Sequence, residues 1–269
     1  MFAAAPRQSP PRPMPPSAAI ERRIGRLNLQ IQRTLGHQVL PLIMTARRGP
    51  GHAELDSLAA RAIAGDTGAL TASVKELQQA GMNSERICLE FLTPLARRLG
   101  EWWEEDRCGF VEVTLGLVAL QQILRELAPS LGGAAPVEAR RSALMVPMPG
   151  EQHGFGISMV AEFFRAAGWQ VAQDAGNTLR DLERRVARDW FGVVALSCGV
   201  SERLARLPAV IAAVRAHSFN PDVVVMVGGA ALQGNDAPAL AADADATARD
   251  AAEALRRAES LVGLLALHP

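Results

Sequence analysis

The sequence predicts a small helical bundle followed by a doubly wound α/β domain built on a parallel sheet. Three observations predict it. Between residues 54 and 131, apolar residues recur every three or four positions, the period of helices with one buried face. From residue 137 onward, short and continuously apolar runs alternate with helical stretches, as strands covered on both faces do. Between the two regions lies Gly132-Gly133-Ala134-Ala135-Pro136, a composition suited to an interdomain linker.

Composition narrows the function classes. A hydrophobic content of 49% in 269 residues supports a substantial core. Lys+Arg and Asp+Glu both number 28, so the formal net charge is zero. That argues against a chain whose main partner is the DNA backbone, because such affinity comes from clustered cations. Cys88, Cys108 and Cys198 are far apart and form no C-x-x-C, which points to reduced thiols rather than a disulfide framework. No apolar run reaches the length of a membrane span, and prolines break the amino-terminal region. A cytoplasmic protein with no membrane association is the expectation.

Residues 1–17 carry prolines at 6, 10, 11, 13, 15 and 16 and are expected to form an extended or disordered tail. Residues 18–48 are expected as a lead-in helix, with Ile20, Ile24, Leu27, Ile31 and Leu35 on one stripe. The bundle, 54–131, begins with Leu55, Leu58, Ala59 and Ile63, then Leu70, Val74 and Leu77. A third helix carries Ile87, Phe91, Leu95 and Leu99, with a kink or break expected near Leu92 or Thr93 because Pro94 follows. The last runs from Phe110 to about Leu127 with Val113, Leu117, Leu120 and Leu124 inward. Short joins imply antiparallel neighbours.

In the second domain, 137–269, strands are expected at 143–146, 169–172, 193–197 and 223–227, with a weak one around 242–246. Helical runs fall at about 153–167, 178–188, 203–217, 231–241 and 248–265. That alternation fits a flavodoxin-like, Rossmann-like sheet.

Ligands of such sheets bind beyond the carboxyl ends of the strands. There the first loop carries Glu151-Gln152-His153-Gly154-Phe155-Gly156. A carboxylate that accepts one ring N–H fixes the histidine tautomer and leaves the other nitrogen for a metal. The same residues also suit a surface loop, and E-x-H alone does not separate the two readings. Trp102 and Trp103 precede the acidic run Glu104-Glu105-Asp106, and Glu112 follows on the next helix. A tryptophan pair at a helix end serves equally as a core lid or as a flat wall for a planar ligand.

Downstream spacing discriminates between the two. The forty residues 157–196 separate this loop from Ser197, which is followed two positions later by Gly199. The 28 residues 200–227 then precede Gly228-Gly229. This order resembles the D-x-H-x-x-G, S-x-L, G-G pattern of the cobalamin-binding module shared by methionine synthase, corrinoid methyltransferase carriers and cobalamin-dependent regulators. The resemblance implies His153 as the lower cobalt ligand with Glu151 as its carboxylate partner. It implies Gly156, Ser197, Gly199, Gly228 and Gly229 as the lining of the slot for the cofactor's nucleotide tail. Glu151 stands where the pattern has Asp, and Gly199 where it has Leu. The helical region is similar to the cap of light-sensing regulators of the CarH and LitR type, whose W-x9-E-H pattern matches Trp102 and Glu112 but meets Val113 in place of histidine. That departure resembles the AerR/PpaA-type antirepressors of photosynthesis genes, which lack a DNA-binding domain.

The resemblance therefore implies a non-enzymatic, light-responsive cobalamin-binding regulator that acts on a transcriptional repressor protein without direct DNA binding. Its upper face would be covered by Trp102, Trp103 and Glu112. Two other readings use the same fold: a corrinoid carrier subunit of a methyltransferase, and a sensor in which His153 binds haem.

Overall fold

A computed structural model of the chain describes residues 50–132, 140–151, 154–233 and 243–266. The expected tail, the lead-in helix at 18–48, the linker beyond Gly132, and His153 with Gln152 all lie outside them.

The bundle is built from helices α1 (His52–Ile63), α2 (Thr67–Gln79), α3 (Ser84–Ile87), α4 (Thr93–Glu104) and α5 (Phe110–Leu127). Asp66 opens α2 by accepting the Ala69 amide at 3.0 Å, and Asn83 opens α3 by accepting that of Arg86 at 2.9 Å. The break expected near Pro94 takes a particular form. Residues Cys88–Leu92 make a π-helical turn that joins α3 to α4. Pro94 has no N–H to continue the ladder, and Thr93 instead sends both its amide and its hydroxyl to the Cys88 carbonyl, the latter at 2.9 Å. At Gly116 helix α5 packs closely on its neighbours. A Cβ there would lie 2.9 Å from Leu99 Cδ1 and 3.5 Å from Ala62 Cβ.

The sheet contains β1 (Ser142–Pro147), β2 (Gln170–Ala172), β3 (Val193–Ser197), β4 (Val224–Gly228) and β5 (Ala246–Ala248), ordered β2-β1-β3-β4-β5 with every pairing parallel. Its helices are α6 (Phe155–Ala166), α7 (Leu179–Arg188), α8 (Leu207–His217) and α9 (Ala251–Ala266). Alternate strand residues divide between the two faces. Ala143, Met145, Ala195 and Met226 meet Ile157, Ala161 and Phe164 of α6 and Ala254 and Ala258 of α9. Leu144, Val146, Leu196 and Val225 meet Leu182 and Val186 of α7 and Val210, Ile211 and Val214 of α8. The doubly wound architecture expected from the sequence is the one observed.

The helical run expected at 231–241 lies outside the described residues beyond a 3-10 turn, Ala230–Gln233, and two other boundaries need correction. The last strand runs over Ala246–Ala248, not around 242–246. Asp245 bonds Val225 on its own account, donating its amide to the carbonyl and accepting the Val225 amide on Oδ2 at 2.7 Å, so the regular ladder begins one residue later. The run expected at 203–217 opens as a 3-10 turn, Ser201–Arg206, and becomes α-helical only at Leu207, where Pro208 suits a first turn that needs no donor.

The bundle and the α/β domain share one core. Phe155, Met159 and Phe163 form a second stripe on α6, and together with Ala251 and Ala252 of α9 they join the buried residues of the bundle. The stripe that faces the sheet is Ile157, Ala161 and Phe164. Helix α6 is therefore apolar around most of its circumference because it is covered from both sides. At the seam the Thr93 hydroxyl approaches Met159 Sδ at 3.2 Å. Among the described residues no helix is long and apolar enough to cross a membrane.

Glu253 fixes the start of α9. Its carboxylate accepts the Arg249 amide and Nε at 3.0 Å each and the Arg257 guanidinium at 2.7 Å. Burial opposes its ionisation, but these donors outweigh that and hold the carboxyl down from its ordinary 4.5 to about 2. A lowered folded value means the stabilisation is complete above 4.5 and disappears as pH falls toward about 2. Glu253→Gln is expected to destabilise the protein at neutral pH. Urea denaturation across the acid range should show its deficit against wild type shrinking below that carboxyl's ordinary value; a constant deficit down to acid would contradict this account of the network.

Candidate functional site at the carboxyl edge of the sheet

Strand β1 has β2 on one side and β3 on the other, so the connections that leave β1 and β3 part in opposite directions. This is the topological switch point, where open α/β sheets leave a crevice. Glu151 lies in the loop after β1, and Ser197 and Gly199 at and after the end of β3. Glu151 is only 4% exposed, and its Oε1 accepts the Gly199 amide at 2.8 Å, so the carboxylate spans the switch point. The Met148 amide adds a second tie by donating to Ser197 O at 2.8 Å. The carboxylate expected beside the histidine is thus also a strut between two loops, a role that nothing in the E-x-H spacing reveals.

The β3 and β4 loops interlock in turn. Ser197 pairs with Gly228 in register, and the Cys198 amide donates to Gly228 O at 2.8 Å. Gly229 has φ +114, and a Cβ there would stand 2.2 Å from Cys198 O, so only glycine fits. At Gly228 a Cβ would come within 3.1 Å of Ala248 O. Gly154 and Gly156 differ: a Cβ at either position meets nothing within 4 Å, which leaves open space at the first turn of α6. The Cys198 side chain is buried beneath this edge and donates to Val200 O at 3.4 Å. Burial, reinforced by the Glu151 carboxylate, pushes its thiol up to about 11, so it stays protonated and unreactive at neutral pH.

The bundle residues separate by role. Trp102 is 6% exposed within the bundle core, and the Arg107 guanidinium covers its ring at 4.2 Å from the centroid. Trp103 is 43% exposed. Glu112 accepts the Gly109 amide on Oε2 at 2.6 Å and so caps α5. Val113, at the position of the cap histidine in the resembling regulators, is buried in the bundle. Sequence reading passed over an exposed apolar stripe on the first half of α5, comprising Phe110, Val111, Leu115 and Val118. Its spacing was visible, but it lies opposite Val113, Leu120 and Leu124, and only packing tells which of two apolar faces is covered. His217 is exposed, with Nδ1 2.9 Å from Ala213 O on its own helix.

Fold and edge together define an α/β ligand-binding domain whose first helix is shared with a helical cap. Two B12 binding domain models match the chain, one over residues 54–128 and one over residues 141–258. The Rhodobacter capsulatus protein described as "Uncharacterized 20.5 kDa protein in bchF-crtJ intergenic region" is 31% identical over 134 residues, which is 48% of this chain and 68% of that one. The monomethylamine corrinoid protein of Methanosarcina barkeri has a TM-score of 0.58 at 18% identity, covering 78% of this chain and 100% of its own. A cobalamin-binding protein from Desulfitobacterium hafniense DCB-2 is 17% identical with a TM-score of 0.41, covering 78% of this chain and 98% of its own. The chain belongs to the B12-binding domain family. The residues present fit such a ligand: open space beside Gly154 and Gly156 adjoins the strand ends that Gly228 and Gly229 bring together.

Gly229→Ala is expected to cost about 2–4 kcal/mol, combining backbone strain with a clash against Cys198 O. Gly263→Ala, at an exposed position of α9 with nothing within 4 Å, should instead stabilise by roughly 0.5–1 kcal/mol. Chemical denaturation midpoints of the two variants check the pair of signs.

Proposed function

We propose that the chain is a cobalamin-binding regulator that acts through a protein partner. The observation that carries this reading is that both halves match B12-binding models while bundle and sheet domain share one core through α6. Bound cobalamin would supply a cobalt centre whose upper ligand can be exchanged or lost on illumination. His153 would be the residue that holds the metal, on the loop that Glu151 ties to Gly199. Ser197, Gly228 and Gly229, paired at the strand ends, would line the place of the nucleotide tail. Trp103 and the exposed apolar side chains on the first half of α5 would be the bundle surface available to the cofactor's other face, while Trp102 belongs to the bundle core. Val113 offers no imidazole. A displaced cap would pull on α6 through Phe155, Met159 and Phe163, and so change the surface presented to a repressor. The relative named for its place between bchF and crtJ supports a regulatory setting, as does the sequence's resemblance to antirepressors.

A second reading, a corrinoid carrier for methyl transfer, is favoured by the match to the whole length of the monomethylamine corrinoid protein. It requires a cap that opens to a partner enzyme rather than one that signals.

Reconstitution with hydroxo-, methyl- and adenosylcobalamin, and separately with haem, should give a stoichiometric cobalamin complex. In it, His153→Ala weakens binding and shifts the absorption bands while the circular dichroism of the fold is retained. Preference for haem, or a His153→Ala spectrum identical to wild type, would overturn the ligand assignment.

Pull-down and titration against candidate repressors in dark and light, with operator DNA alone as the other arm, test the output. Repressor affinity is expected to differ between the two states, since a ligand shifts an equilibrium only through differential binding. Equal repressor affinity in both states favours the carrier, and tight binding to bare DNA removes the antirepressor reading.

A further inference from the structure

The loop that leaves β1 is gripped from outside by residues on two other loops. Arg203, in the 3-10 turn after β3, donates from Nη1 to Pro149 O at 3.2 Å. The Gly150 amide donates to both Asn177 O at 2.8 Å and Asn177 Oδ1 at 3.1 Å, across the loop between β2 and α7. Gly150 has φ +83, and a Cβ there would come to 3.0 Å from Arg203 Nη1, so the guanidinium rests on bare backbone. The backbone around Asn177 is itself constrained. Asn177 sits between Gly176, where φ is +70 and a Cβ would strike Asp181, and the Thr178–Asp181 capping box that starts α7. Arg203 is half-buried and forms no ion pair among the described residues. Among the described residues its guanidinium hydrogen-bonds to the loop.

We propose that Arg203 and Asn177 are positioning residues for the corrinoid. Together they fix the height and tilt of residues 149–151, and thereby the approach of the loop's metal-binding group to cobalt. The inference rests on the cobalamin reading. Neither residue belongs to the three motifs that the sequence displays, and neither needs to touch the cofactor. Groups that orient a metal ligand change affinity by roughly 10–100-fold when removed.

The test uses hydroxocobalamin as the probe and the full chain. Arg203→Ala and Asn177→Ala are each expected to weaken uptake about tenfold. Each should also shift the axial-ligand absorption bands and reduce the nitrogen hyperfine signal of the reduced, Co(II) form. Arg203→Lys, which keeps a donor, and Asn177→Asp, which keeps the acceptor, should restore most of both readouts. The thermal midpoint of cofactor-free protein should barely move, which separates positioning from general destabilisation. If Arg203→Ala fails to fold, Arg203→Lys and the Asn177 pair still decide. Wild-type bands and affinity in the alanine variants overturn the inference alone. Wild-type protein that takes up no hydroxocobalamin overturns the reading and the inference together.

Discussion

The candidate site depends on β1 and β3 lying side by side while the chain leaves them in opposite directions. Their carboxyl ends cannot be covered by either connection, so a crevice opens, and the polar groups exposed there must bond to one another. Glu151 does this by accepting the Gly199 amide, and Met148 by donating to Ser197 O. Leaving a buried amide without an acceptor costs about 1–3 kcal/mol, so these ties set the loop geometry as firmly as strand pairing does.

Helix α6 carries the other half of the organisation. It begins beside the edge, buries Ile157, Ala161 and Phe164 against the sheet, and gives Phe155, Met159 and Phe163 to the bundle. Full burial of such a side chain is worth about 1.5–3 kcal/mol, so the seam is a substantial fraction of a typical domain's net stability. Helix α6 therefore belongs to the packing of both regions at once. The π-helical turn at Cys88–Leu92 and the Thr93–Met159 contact lie on the bundle side of the same seam, which places its least regular helix where the two regions meet.

Much of this was legible beforehand. Pro94 announced an interruption at Leu92 and Thr93, because a missing amide and a ring clash are local facts. The continuous runs at Leu144–Val146 and Val193–Leu196 announced strands covered on both faces. The glycines at 228 and 229 and the spacing from Ser197 marked the edge, since their positions along the chain follow from strand and helix lengths. The weak strand was misplaced because Asp245 substitutes its side chain for ladder pairing, and a propensity reading does not see a side chain bonding backbone across a sheet.

The sequence by itself determined the elements, their alternation, and the family to which their motifs belong, because helix and strand periods and turn residues act over a few positions. Tertiary structure alone decided which of two apolar faces of α5 is covered, that Trp102 lies beneath Arg107 while Trp103 reaches solvent, and that Glu151 is a strut to Gly199. It also brought Asn177 and Arg203 onto one loop from positions 27 and 54 residues away from Gly150 and Pro149. The physical reason is common to all of these. Each depends on what packs against a residue in three dimensions, and the ties of Glu151, Asn177 and Arg203 arise because parallel strands place distant loops on one edge, so no periodicity within a single segment encodes them.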